Sequence, residues 1–276
     1  MTDGPVDRWI IVNDFRLHYL EWGNASAPAM VLLHGIGDNA HIWDDLAASL
    51  QNRLRIIALD QRGHGRSDWA VPPAYRCEDY VGDLAALMEI LTLEQAVIGG
   101  HSMGALHATC YAAMKPERVS GLIHVDIEPC PPEWNRKYLL NLYRDLPPAY
   151  PTLQAYVEEI AKNCPHAEPS RLLQYAGLAL NRQENGQFCC QYDREVLRHF
   201  DCYDLRPALG AVRCPTLIVR GEESQVMTRP VTEEMARSVP EAHIAEIPVS
   251  AHPVLMENPA AFRRAVTDFL TEFPRR

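Results

Sequence analysis

Gly100-His101-Ser102-Met103-Gly104 sets a serine among glycines, after a short apolar run (residues 96–99) and before a stretch, Met103–Met114, with helical character. A side chain on a strand-to-helix turn that sharp is pushed out at the carboxyl end of a sheet, and the flanking glycines let the backbone pass close to the helix. The helix N-terminus behind Ser102 adds partial positive charge, which favours an alkoxide or oxyanion there. That chemistry is nucleophilic attack by a serine; the plainer alternative is a serine that only caps the helix. A second turn, His34-Gly35-Ile36-Gly37, follows another apolar run at 29–33. It can aim the backbone N–H of Ile36 at the space beside Ser102, with the N–H of Met103 as the second donor. Two such donors stabilise the negative oxygen of a tetrahedral intermediate, and losing one costs about 10²–10³ in rate.

The elements that must hold these turns are legible as a pattern. Short β-like runs at 10–12, 16–19, 29–33, 55–60, 96–99 and 121–125 alternate with helical stretches at 80–91 and 103–114. The runs at 29–33 and 55–60 are continuously apolar, as in a strand buried on both faces. Strands alternating with helices argue for βαβ units and a parallel sheet. From Pro129 to about Arg206 the pattern changes to proline-bounded helices, predicted at 134–144, 153–163 and 171–180. The first pattern then returns, with strands at 216–219 and 243–247 and helices near 231–238 and 259–269. An insertion of that length needs structure of its own. It reads as a helical cap, residues 129–206, over a core made of residues 1–128 and 207–276.

Composition excludes several classes of function. The chain has 276 residues, 26 basic and 36 acidic side chains and a formal net charge of −10. That balance repels phosphate backbones and anionic headgroups at long range, so nucleic acid is not an expected partner. No span approaches the roughly 20 apolar residues needed to cross a bilayer, and Asp3 and Asp7 stand where a secretory leader would carry positive charge. The eight cysteines form no C-x-x-C pair and read as reduced thiols of a cytoplasmic protein. No histidine pair has zinc-protease spacing, and neither metal nor cofactor is expected.

The motifs His34-Gly35-Ile36-Gly37, Asp60-Gln61-Arg62-Gly63-His64-Gly65-Arg66-Ser67, Gly100-His101-Ser102-Met103-Gly104 and Ala251-His252 resemble the α/β-hydrolase superfamily, in its branch with an inserted cap. The resemblance covers nearly the whole chain outside the cap. It implies a mostly parallel eight-stranded sheet flanked by helices, with the cap inserted after strand 6, and a Ser–acid–His triad. Its base would be His252, just beyond the last strand; Ala251 stands where the family often has glycine. Asp60–Ser67 resembles a structural turn, and His34 and His101 read as turn and packing residues. His124, His166 and His199 are minor candidates for substrate contact.

The acid is less plain. In most of the superfamily it follows the strand equivalent to 216–219, but there Ser224 and Gln225 occupy the expected positions. Glu223 or Glu222 could substitute. The other option is Asp126, after the apolar run 121–125, where some relatives place their acid. A carboxylate buried there needs a partner, and His252 would be a suitable one. Asp126 is the acid predicted here.

The expected function is a serine hydrolase that cleaves an ester, lactone, amide or C–C acyl bond of a small molecule through an acyl-enzyme. Ser102 excludes the aspartate-nucleophile dehalogenases and epoxide hydrolases of the same superfamily. A cofactor-free dioxygenase using the His–acid pair as base, or a non-catalytic binding protein, are the rival readings. The aromatics Trp134, Tyr138, Tyr143, Tyr156 and Tyr175 are candidates to line the pocket, and the oligomeric state is left open.

Overall fold

The computed structural model describes residues 4–200 and 203–272, apart from the side chains of Leu139, Leu142, Tyr143 and Asp145. Cys202 and Asp3 therefore lie outside the described residues, as does the Tyr143 side chain. Eight strands form one sheet: β1 (Val6–Val12), β2 (Phe15–Trp22), β3 (Ala29–Leu33), β4 (Arg55–Leu59), β5 (Ala96–His101), β6 (Val119–Val125), and two strands that return later in the chain as β9 (Thr216–Gly221) and β10 (Ala242–Ile247). Their spatial order is β1-β2-β4-β3-β5-β6-β9-β10, antiparallel at β1–β2 and β2–β4 and parallel from β4 onward.

Every residue of β3 is buried, which the continuous apolar run requires. Its side chains split by parity. Met30 and Leu32 join one core with Trp43, Phe262 and Val266, from the side of α1 (Asp44–Leu50) and α11 (Pro259–Glu272). Val31 and Leu33 join the opposite core with Leu84, Leu87, Ala108 and Met235, from α2 (Cys77–Ile90), α3 (Met103–Met114) and α9 (Arg229–Ser238). Helices cover both faces, and the ends of β5, β6 and β9 meet at one edge.

Between β6 and β9 lie α4 (Glu133–Asp145), α5 (Leu153–Ile160), α6 (Pro169–Ala179), α7 (Glu195–His199) and α8 (Arg206–Leu209). The predicted helix at 153–163 ends as α5 and continues as a 3₁₀ turn, Ala161–Asn163. A hairpin, β7 (Leu180–Arg182) with β8 (Phe188–Cys190), was not legible in a region read as helical. Three residues per strand are too few to show a period. The short helix α10 (Val254–Glu257) precedes α11. Among the described residues no helix is long and apolar enough to cross a membrane, and the described cysteines form no disulfide.

Candidate active site

Ser102 sits between β5 and α3 with φ +52° and ψ −122°, a left-handed backbone rare for a residue with a side chain. Packing holds it there: its N–H bonds the Val125 carbonyl of β6 at 2.9 Å. A Cβ on Gly104 would lie 2.4 Å from the Leu33 carbonyl oxygen, so this turn tolerates only glycine at that position. Met103 opens α3, and an N–H in a helix's first turn has no carbonyl one turn back to bind.

Asp126 follows β6, is fully buried and also has positive φ, +54°. Its carboxylate takes three donors. Gly221 N–H reaches Oδ1 at 2.8 Å, while Ser224 Oγ and His252 Nδ1 reach Oδ2 at 2.6 and 2.7 Å. With all three made, a buried charge is tolerable. Because Nδ1 is held by the acid, Nε2 is the other ring nitrogen of His252 and the one that can exchange a proton with a substrate or serine. The His252 loop is pinned from below, where Ala251 N–H donates to Glu257 Oε2 at 2.6 Å.

The sequence alternatives for the acid stand elsewhere. Glu223 Oε2 lies 2.9 Å from His166 Nε2, and Glu222 Oε2 accepts the Val249 N–H at 3.2 Å. The histidine on Glu223 is raised above its usual value by that hydrogen bond. Ser224, which carries no charge and so cannot be the acid, is the residue that braces Asp126. The signal was its position, where the resemblance expects a carboxylate.

The Ile36 turn rests on a buried network that the sequence did not reveal. Gln61 donates its backbone N–H to His34 Nε2 at 3.0 Å and its side-chain amide to the His34 carbonyl at 2.8 Å. His34 Nδ1 therefore carries the proton and donates to the Gly35 carbonyl at 2.7 Å. Burial lowers the His34 pKa, which favours this neutral form. Gln61 Oε1 in turn accepts from His107 Nδ1 at 2.7 Å, and His107 stacks on Tyr80 with ring centres 4.3 Å apart.

Ser102, His252, Gly35 and Ile36 line a cavity of about 510 Å³. Trp134, Tyr138, Tyr156 and Tyr175, from the segment between β6 and β9, form much of its wall with Tyr192. Asp38 lines it too, taking the Tyr175 hydroxyl on Oδ1 at 2.9 Å. Burial pushes the Asp38 carboxyl up, but the His101 and His34 imidazoles and the Tyr175 hydroxyl outweigh it and hold it below its usual value. His124, His166 and His199 do not line the cavity. His124 is buried, accepting from Thr109 Oγ1 at 2.8 Å and donating to the Ile127 carbonyl at 2.7 Å. His166 is on Glu223, and His199 faces Glu195 at 3.8 Å. No group of three or more histidine, cysteine or acidic side chains among the described residues is arranged to hold a metal ion.

The chain and its fold have counterparts among known proteins. The chain is 28% identical to a 2-(acetamidomethylene)succinate hydrolase of Mesorhizobium japonicum, over 98% of this chain and 96% of that one. It is 29% identical to an esterase of Mycobacterium tuberculosis, over 98% and 91%, and 26% identical to a 3-oxoadipate enol-lactonase of Acinetobacter baylyi, over 96% of each. A solved structure of E-2-(acetamidomethylene)succinate hydrolase superposes with TM-score 0.88 at 27% identity, covering 97% of this chain and 99% of that one. The family model for the alpha/beta hydrolase fold matches residues 28–259. That match spans most of the chain, which belongs to the alpha/beta hydrolase fold family.

Proposed function

We propose that the protein is a serine hydrolase cleaving an ester or related acyl bond of a compact small molecule. Ser102 is the nucleophile, His252 the base and Asp126 the acid, with the N–H groups of Ile36 and Met103 as oxyanion donors. The 2.7 Å contact between His252 Nδ1 and Asp126 Oδ2, at the cavity that Ser102 also lines, carries this reading. The relatives support it: they are named as a 2-(acetamidomethylene)succinate hydrolase, an esterase and a 3-oxoadipate enol-lactonase.

In the first half-reaction Ser102 Oγ attacks the carbonyl carbon while His252 Nε2 takes the hydroxyl proton. The tetrahedral oxyanion is met by the two N–H donors. The bond to the leaving group then breaks as His252 returns the proton to it. Water adds to the acyl-enzyme with its proton passing to His252, and the carboxylic acid leaves as Ser102 regains its hydroxyl hydrogen. Asp126 fixes the tautomer of His252 and stabilises its imidazolium throughout. The steps need no cofactor.

Residues 129–206 act as the cap that closes this cavity over a compact substrate, and the reduced thiols suit a cytoplasmic enzyme. The test is a panel of esters, lactones and amides against wild type and Ser102→Ala, with labelling by a fluorophosphonate. Turnover and labelling of wild type, both lost in Ser102→Ala, are expected. A panel turned over equally well by Ser102→Ala would overturn the nucleophile. Oxygen uptake with a hydroxylated heteroaromatic, without phosphonate labelling, would favour base-catalysed oxygenation instead.

A further inference from the structure

Asp38 has one oxygen to spare. Oδ1 holds the Tyr175 hydroxyl, but Oδ2 faces His101 Nδ1 at 3.8 Å, beyond hydrogen-bond distance. His101 Nε2 lies 3.1 Å from the His252 carbonyl, which can only accept, so Nε2 carries a proton and points away from Asp38. His101 Nδ1 is buried with no partner, on a side chain only 5% exposed. A carboxylate oxygen beyond hydrogen-bond distance of its neighbouring imidazole therefore faces the cavity, which both residues line.

Their place relative to the chemistry is set by Gly35. A Cβ built there would lie 3.0 Å from Asp38 Oδ2, 3.1 Å from His101 Nδ1 and 3.3 Å from Ser102 Cβ. With no side chain at position 35, the carboxylate and the serine share one wall. The other charges of the cavity are matched: Lys162 Nζ lies 2.6 Å from Glu159, and Glu223 lies 2.9 Å from His166. No arginine lines the cavity among the described residues. A substrate carboxylate would meet repulsion at Asp38, while a hydroxyl or ammonium would supply the missing donor.

We propose that Asp38 Oδ2, backed by His101, accepts a hydrogen bond from a donor group, hydroxyl or ammonium, on the acyl half of the substrate beside the scissile carbonyl. On that half, a substituent on the carbon next to the carbonyl comes nearest to Ser102. The favoured class is thus the 2-hydroxyacyl or 2-aminoacyl ester with an apolar or aromatic body to fill the tyrosine-lined wall. Asp38 is a specificity residue in this scheme and takes no part in proton transfer. The proposal rests on the hydrolase reading above.

The experiment compares four methyl esters on one frame: 3-phenylpropanoate, 3-phenyllactate, phenylalanine and the benzylmalonate half-ester, which carry hydrogen, hydroxyl, ammonium and carboxylate at the same carbon. After division by their alkaline hydrolysis rates, wild-type kcat/KM for the hydroxyl and ammonium esters should exceed that for the unsubstituted ester by about tenfold, with the carboxylate ester below it. Asp38→Asn should shrink the advantage to about threefold or less. A flat wild-type series, a carboxylate preference, or an advantage that survives Asp38→Asn overturns the proposal. Binding of the matching primary amides to Ser102→Ala, by calorimetry, reads the same preference without chemistry. If no ester is turned over and no phosphonate is bound, the hydrolase reading fails by itself. The amide series then still decides: tighter binding of the 2-hydroxy and 2-amino amides upholds the donor site, and equal affinities overturn it.

Discussion

Ser224 donates its hydroxyl to Asp126 Oδ2 at 2.6 Å, from the loop after β9 to the end of β6. The carboxylate comes from one strand and its brace from the next, so the two loops could trade roles. Ser224→Ala removes one of three donors from a buried charge and should cost about tenfold in kcat and a few degrees in melting temperature. Asp126→Ser should be nearly inactive, and adding Ser224→Asp should restore about tenfold or more, because a carboxylate at 224 starts from within reach of the same site. Steady-state kinetics and calorimetry on the three variants check this. A double variant no better than Asp126→Ser would refute the exchange.

Asp126→Asn should lower kcat by about 10⁴ with the fold intact, since an amide cannot stabilise the imidazolium. Glu223→Gln should leave kcat within about threefold, because Glu223 is exposed where it pairs with His166 and such surface pairs contribute little. Comparison at equal concentrations of folded protein separates them. The reverse pattern would move the acid to Glu223.

Gly35 and Gly104 should fail differently. A methyl at 104 meets backbone oxygens of β3 and the following turn at 2.4 and 2.6 Å, which cannot yield, so Gly104→Ala should lose several kcal/mol of stability. A methyl at 35 meets side chains at 3.0–3.3 Å that can shift by tenths of an ångström. Gly35→Ala should fold, with kcat/KM reduced about tenfold or more by crowding beside Ser102. Denaturant melts and kinetics distinguish the two, and an unstable Gly35→Ala would contradict the assignment.

Acid should destabilise the fold well above the carboxylate range. Burial depresses His64 and His107 to about 3 and His124 to about 4, against about 6.5 in an unfolded chain. Below about 6.5 the unfolded chain takes up protons that the folded chain refuses. Stability is therefore whole above that pH and lost as pH falls toward the folded values. The urea midpoint should drop between pH 6.5 and 5. His64→Asn, whose Nε2 has no partner to lose, should remove close to one proton from the uptake on unfolding. An unchanged pH slope in that variant would show that His64 titrates normally in the fold.

The local grammar of the chain made the architecture and the proposed nucleophile legible. Apolar runs long enough to be buried on both faces, the helix Met103–Met114 and the spacing of Gly100, Ser102 and Gly104 can each be read within a dozen residues, because strand burial and the strand-to-helix turn are short-range demands. The carboxylate partner of His252 could not be read that way. Asp126, Glu222 and Glu223 are all plausible on charge, and they separate only when β6 and β9 lie side by side in parallel, bringing Gly221 and Ser224 onto Asp126. The same is true of Gln61 beneath the Ile36 turn and of Asp38 beside Ser102. Each acts through partners distant in sequence, such as Tyr175 for Asp38. Hydrogen bonding and burial at a sheet edge depend on which strand ends are neighbours, and strand order is a property of the folded chain rather than of any segment.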